Sequence, residues 1–474
     1  MGKAVKLLSL SIGVSMLLSV VLTGCGGKTD TVTSTTGLAS GSAQVSVADS
    51  TINTEPVVLK ATFWGSPQEK VAVEGATKKY TEKYPNIKVE AIQIPESDYD
   101  AKIAAMVASN DVPDWAYIHG PQGEGFAKQG KFINWFEKMK DDKDIKKKNF
   151  IDGIWFTLDQ TNAWGISGAV ECFGLFYNKD LFKEAGISEP PAAYDNAWTW
   201  DQFLEAAKKL TVDKNGKNAA DEAFDAKNIK QFGIMFENWS APIQAFVLNN
   251  GSDYVLDDGK TFGYSKPEAT KAIQRLADLI NVQHVAPSPI QAKAIPGEAA
   301  GLQAKMIAMA FGGQWMNLDL GANKVNYGIA ALPKMDSNSG TIKLSGAVSI
   351  FKDSKYPEET WDFAKFMCGE GVEDLYINGL WMPTMTKYYT NSTAMAKWVG
   401  PNASHPEGFK DAMLDMVMNH SKPAMAYTLK NQSKIDALVA GALDQVWMGK
   451  KTAEVAMKEL EPKVIPEIQG RYDK

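Results

Sequence analysis

The stretch from Val57 to Ile118 constrains the fold more than any other. VVLKATFW, Val57 to Trp64, is apolar and β-prone, and it stops at Gly65-Ser66-Pro67. Gln68 to Tyr84 reads as a helix ended by Pro85. IKVEAIQI, Ile87 to Ile94, alternates as a half-buried strand does, and YDAKIAAMVAS, Tyr99 to Ser109, has the spacing of an amphipathic helix. Asp114 to Ile118 is another short strand. Strand, helix, strand, helix, strand is the α/β pattern, which builds a parallel sheet. The pattern returns later. Leu175 to Tyr177, Phe232 to Phe236, Met306 to Phe311 and Tyr327 to Ala331 read as strands among helical segments. Thr199 and Gln202 have the spacing of a capping box for a helix ending at Leu210.

In open α/β sheets, ligands lie beyond the carboxyl ends of the strands. The informative residues are therefore those just after each strand. Trp64 is followed by Ser66 and Gln68, and the third strand by His119 and Gln122. Glu237 and Trp239 follow another strand, and Trp315 follows Gly312-Gly313, where a sharp turn would aim its indole at a cleft. Trp381 sits between Asn378-Gly379 and Pro383. Aromatic faces beside amide, hydroxyl and carboxylate groups suit a sugar ring, whose C–H face packs on the indole while polar groups hold its hydroxyls. Trp115, Trp155, Trp200 and Trp361 lie inside regular apolar patterns and read as core.

The N-terminus carries a different signal. Lys3 and Lys6 precede an apolar run of 16 residues, Leu7 to Leu22, short for a bilayer span and right for a signal peptide. The run ends in Leu22-Thr23-Gly24-Cys25, which looks like a bacterial lipobox. That reading expects residues 1–24 to be removed and Cys25 to be acylated. The alternative is an uncleaved anchor ending in a buried cysteine. Two acyl chains hold a protein on a membrane without a spanning helix. Gly26 to Pro56 is rich in Ser, Thr and Gly, has no aromatic residue, and reads with Cys25 as a flexible tether at 25–56. The expected location is the extracytoplasmic face of the cell membrane.

Removing 24 residues from 474 leaves 450, enough for two large domains. Apolar residues are 45%, and the net charge of −6 argues against nucleic acid as a partner. The four histidines lack ligand-like spacing, so no metal or other cofactor is expected. Beyond Cys25, Cys172 and Cys368 are expected to be buried thiols. No G-x-S-x-G, H-E-x-x-H, Walker or post-strand G-x-G-x-x-G motif is present, which favours binding over catalysis. Three alternatives stay open: a lipid-anchored glycoside hydrolase with two flanking carboxylates, a receptor for another solute, and a structural surface protein. A polyamine site would want several carboxylates, whereas aromatic plus neutral polar groups favour a sugar.

From about Thr62 to about Met385 the chain resembles the family 1 extracellular solute-binding proteins, the maltose-binding-protein-like receptors of ABC sugar importers. The segments carrying this are ATFWGSP, KYPNIKVE, MVASNDVPDWAYI, FAKQGKFINW, GLFYNKDLFKEAGI with WTWDQFLEAAKKLT, KMIAMAFGGQW and YGIAALP. Their order and spacing make the match, although Ala304 stands before Lys305 where the family usually has Gly. The resemblance implies two discontinuous α/β lobes joined by hinge crossings with the ligand between them. One lobe would hold 57–168 plus about 349–385, the other 169–348 plus about 386–474. It implies a sugar or oligosaccharide ligand, membrane permease subunits as partners, and a monomer. Glu171 falls where such receptors carry a sugar-binding glutamate near the first crossing. Glu237 and Trp239 match a pair on the second lobe, and Trp315 matches the family's stacking Trp. Tyr427 is a candidate from the C-terminal helices. Asp114 is expected to cap local backbone rather than touch ligand.

Overall fold

Two sheets carry the molecule. In the computed structural model, which describes residues 55–473 apart from residue 337, strand β1 (Val57–Phe63) runs parallel to β2 (Ile87–Gln93) and to β3 (Trp115–Ile118). Helix α1 (Pro67–Lys83) connects the first pair and α2 (Glu96–Ala108) leads on to β3. The strand read from VVLKATFW forms: Val57, Leu59, Ala61 and Phe63 are buried and Val58 is exposed, although Thr62 is buried too. Ser66 ends the strand and caps α1, its hydroxyl accepting from the Glu69 N–H at 3.2 Å, and Pro67 takes the first helical position, where no N–H is needed. The Asp114 carboxylate accepts from the Lys60 N–H at 2.7 Å and from the Ser354 hydroxyl at 2.6 Å. These partners are 54 and 240 residues away, so Asp114 ties β1 to the segment around Ser354 instead of capping local backbone as expected, and it does not line the cavity between the sheets.

The first sheet continues antiparallel through β4 (Trp155–Asp159), β5 (Asn162–Ser167) and a late strand, in the order β2-β1-β3-late strand-β5-β4. The second sheet is built on β6 (Glu171–Asn178), with β7 (Val212–Asp213), β8 (Ile229–Phe236), β9 (Ile307–Gly313), β10 (Tyr327–Ala330) and β11 (Thr341–Leu344). The late strand of the first sheet is β12 (Ala347–Ile350), and β13 (Ser421–Pro423) closes the second beside β11. The chain thus leaves the first sheet after Ser167, returns to it between Leu344 and Ala347, and rejoins the second near Ser421.

The capping box forms: the Thr199 hydroxyl accepts from the Gln202 N–H and the Gln202 side chain accepts from the Thr199 N–H. Its helix, Trp200–Leu210, buries Phe203, Ala206, Ala207 and Leu210. Trp115, Trp155 and Trp361 are buried, and Trp200 packs partly buried on the same core. Cys172 and Cys368 are free and buried. Among the described residues no helix is long and apolar enough to cross a membrane. Residues 1–24 and Cys25 lie outside the described residues.

Candidate functional site: an acidic, aromatic cleft between the sheets

Strand ends from both sheets open on one cavity of about 650 Å³. Trp64 follows β1 and His119 follows β3; Trp239 and Trp315 follow β8 and β9 on the other side. The aromatic groups differ in setting. Trp64 stacks on the His119 ring, centroids 4.1 Å apart, and the His119 Nδ1 lies 2.7 Å from Asp100. Gly346 accommodates this, because a Cβ there would stand 2.5 Å from the Trp64 indole. Trp239 is 43% exposed, which leaves its face open to a ligand. Trp315 is half-buried, edge-on to Phe173 at 5.7 Å.

The glycines before Trp315 do not make the turn expected of them. Gly312 and Gly313 are strand residues, paired with Gly174 and Phe173. What they supply is space: a Cβ on Gly313 would meet the Trp315 ring at 2.1 Å. The indole lies back over its own strand, and the ladder of β9 rather than a turn sets its position.

Nine of the eleven sequence-predicted residues line this cavity: Trp64, Ser66, His119, Glu171, Glu237, Trp239, Trp315, Trp381 and Tyr427. Trp381 and Tyr427 are almost wholly buried and form wall rather than platform. The Tyr427 hydroxyl lies 3.1 Å from the Ser167 hydroxyl and 3.4 Å from the Ser345 carbonyl, so it bridges two of the three places where the chain changes sheet. Gln68 and Gln122 do not line the cavity. Gln68, one residue into α1, turns with the helix onto a separate groove, and Gln122 donates to the Asp100 carbonyl at 2.6 Å.

The cleft is also far more acidic than the aromatic-plus-neutral reading. Glu69, Glu96 and Asp100 line it from the first sheet's side, and Glu171, Glu237, Asp319 and Asp436 from elsewhere. Among the described residues, no lysine or arginine lines it. Their hydrogen-bond donors are neutral groups, apart from the His119 ring beside Asp100. Tyr117 donates to Glu69 at 3.2 Å, Ser66 to Asp319 at 3.0 Å, and the Trp239 indole N–H to Glu237. Tyr254 donates to Asp436 at 2.5 Å. Burial pushes the Glu171 carboxyl up to about 8 and, with the Glu298 charge, Glu237 up to about 7. Burial and the neighbouring Glu171 hold Glu69 well above the usual carboxylate range, and burial raises Asp319 too. Glu69 and Asp319 escaped the sequence reading. Glu69 stands one residue past the segment taken as the strand end, and Asp319 is one helical turn beyond Trp315.

The bacterial extracellular solute-binding protein family matches residues 64–374. The chain belongs to that family. Other members show the same kinship at low identity. The sn-glycerol-3-phosphate-binding periplasmic protein of Yersinia enterocolitica is 28% identical over 307 residues, 60% of this chain and 62% of that protein. The melibiose/raffinose/stachyose-binding protein of Bacillus subtilis is 23% identical over 286 residues, 58% of this chain and 62% of that protein. The chain spans only about half to three fifths of the curated relatives it matches, 46% for a Brucella abortus binding protein. The fold is shared over greater length. The ABC substrate-binding protein of Listeria monocytogenes in complex with cycloalternan superposes with TM-score 0.71 at 21% identity, covering 86% of this chain and 98% of that one. The maltose/maltodextrin-binding domain of Bdellovibrio bacteriovorus bound to maltotriose gives 0.68 at 17% identity, covering 87% and 100%. Members of this solute-binding family thus share the two-lobe arrangement of this chain, with a sheet in each lobe.

Proposed function

We propose that this chain is the extracytoplasmic receptor of an ABC importer that captures a sugar or oligosaccharide in the cleft and hands it to a membrane permease. One observation carries the reading: the indoles of Trp64, Trp239 and Trp315 converge from both sheets on one cavity lined by hydrogen-bonding carboxylates and hydroxyls. The function needs no bond chemistry. Sugar binds one lobe, the lobes close about the three crossings, and the groups of the other lobe complete the site. The permease then reads the outer surface of the closed form, because a ligand signals only through its unequal affinity for two states.

The test is a calorimetric and thermal-shift screen of the soluble body against mono- and oligosaccharides. A bound sugar at a hundredfold excess over Kd stabilises by about 2.7 kcal/mol, with the sugar recovered intact. Release of smaller sugars from an oligosaccharide by the pure protein overturns the receptor reading.

Location follows from Leu22-Thr23-Gly24-Cys25. In this proposal Cys25 is acylated after cleavage, and residues 26–56 tether a monomeric receptor close to its permease. A Cys25→Ser chain should leave the membrane fraction and lose the acyl mass. A variant that stays membrane-bound with an unchanged N-terminal mass rules the anchor out.

A further inference from the structure

We propose, resting on the sugar-receptor reading, that the cleft selects a sugar carrying a protonated amine, an amino sugar or an oligosaccharide containing one, over its neutral and N-acylated counterparts. The cavity joins aromatic platforms to seven carboxylates with no lysine or arginine among its described lining residues. Buried carboxylates are normally paired with cations, since desolvation otherwise drives them to take a proton. Here the donors to Glu69, Asp319 and Glu237 are a phenol, an alcohol and an indole. The one ionisable base, His119, is already turned to Asp100 at 2.7 Å, with Glu96 4.0 Å from its other nitrogen.

Helix N-termini do not make up the deficit. Helices begin at Ser66, His119, Trp239 and Trp315, and each contributes roughly half a positive charge at most. Glu96 and Asp100 are mainly exposed and Asp100 already faces His119, so the balance is about two charges against the five remaining carboxylates, and the empty cleft keeps protons on its most buried acids. A ligand ammonium supplies the missing charge and displaces those protons. The same shortage argues against phosphate- or carboxylate-bearing sugars, which would add an anion to an unpaired set. The aromatic faces separate a sugar from a bare polyamine, which has no ring to stack.

The experiment is isothermal titration of the soluble body with glucosamine and its dimer and trimer. The same lengths of N-acetylglucosamine and glucose oligomers serve as comparisons, and spermidine as the cation without a sugar ring. The expected result is at least tenfold tighter binding of the glucosamine series. Proton release should appear at pH 6, where the sugar amine still carries its proton, as a dependence of the heat on buffer ionisation enthalpy. Affinity should rise from pH 5 to pH 6.5 as the site carboxyls ionise, then fall toward pH 8.5 as the ligand amine loses its own proton. In Glu171→Gln, which keeps shape and removes charge, the preference should shrink several-fold. Should the variant fail to fold, the wild-type panel and its proton release decide alone. Neutral or N-acetylated oligomers binding as tightly as the amines overturn the charge inference and leave the sugar receptor standing. Spermidine binding with no sugar bound overturns both. A folded Glu171→Gln protein with unchanged preference overturns the inference as well.

Discussion

The Ser66 hydroxyl donates to the Asp319 carboxylate at 3.0 Å, and the same oxygen accepts from the Glu69 N–H. Ser66 caps α1 on the first sheet's side, whereas Asp319 lies on the helix Met316–Ala322 that follows β9 of the second. The bond therefore spans the cleft and forms only when the two sides are close. Asp319→Ala should open the ligand-free protein, seen as a larger radius of gyration in solution scattering, and weaken sugar binding by about 0.5–1.5 kcal/mol, the usual net worth of one hydrogen bond. A mere contact with ligand would change affinity and leave the radius of the empty protein alone.

Trp315 is half-buried and faces the cavity over Gly313. In Trp315→Ala a stacked sugar face loses its platform, and binding should fall by about 1.5–3 kcal/mol, the worth of burying a large apolar side chain. The empty protein should melt nearly as before, because a cleft residue leaves no sealed void. A core Trp would give the opposite pattern, a stability loss of about 3–5 kcal/mol with normal binding by what remains folded. Unfolding and titration on one variant separate the two.

The first lobe was legible because β-prone apolar runs at Val57–Trp64 and Asp114–Ile118 flank the alternating Ile87–Ile94 and the amphipathic Tyr99–Ser109, and because Ser66 and Pro67 mark a helix start locally. The aromatic part of the site was legible because strand ends can be located from such patterns. The acid cluster was not. Glu69, Asp319 and Asp436 lie 250 and 117 residues apart in sequence and meet only through the pairing of the two lobes. Gln68 shows the limit in the other direction: it sits beside Ser66 in sequence, yet the helix turns it onto another groove. The Gly312-Gly313 pair shows a third limit, since glycine signals a turn and a close approach alike, and only the ladder of β9 tells them apart.

Tyr427 joins two of the crossings through its hydroxyl, which meets that of Ser167, a residue with no solvent exposure. Tyr427→Phe should destabilise by about 1–3 kcal/mol by leaving the buried Ser167 hydroxyl without its partner. Adding Ser167→Ala should recover part of the loss, since the orphaned hydroxyl is then gone. Denaturant unfolding of the four members of the cycle measures this, and strict additivity would show that the two hydroxyls are not coupled.

His405 gives the last prediction. It is wholly buried, stacks on Phe409 with centroids 4.0 Å apart, and burial pushes its imidazole down to about 4. An unfolded histidine titrates near 6.5, so between those values the unfolded chain binds the proton and the folded one does not. Stability from this group is present above pH 6.5 and is lost as pH falls toward 4, by about 3 kcal/mol at 1.36 kcal/mol per unit. The raised carboxyls of the cleft act with the opposite sign, gaining stability as pH falls, so the bare pH profile mixes the two. The difference between wild type and His405→Phe, followed by urea unfolding from pH 7.5 to 4, cancels the shared carboxyls. That difference should shift in favour of the variant by about 3 kcal/mol across the range, and a flat difference would mean that the folded protein protonates His405 without resistance.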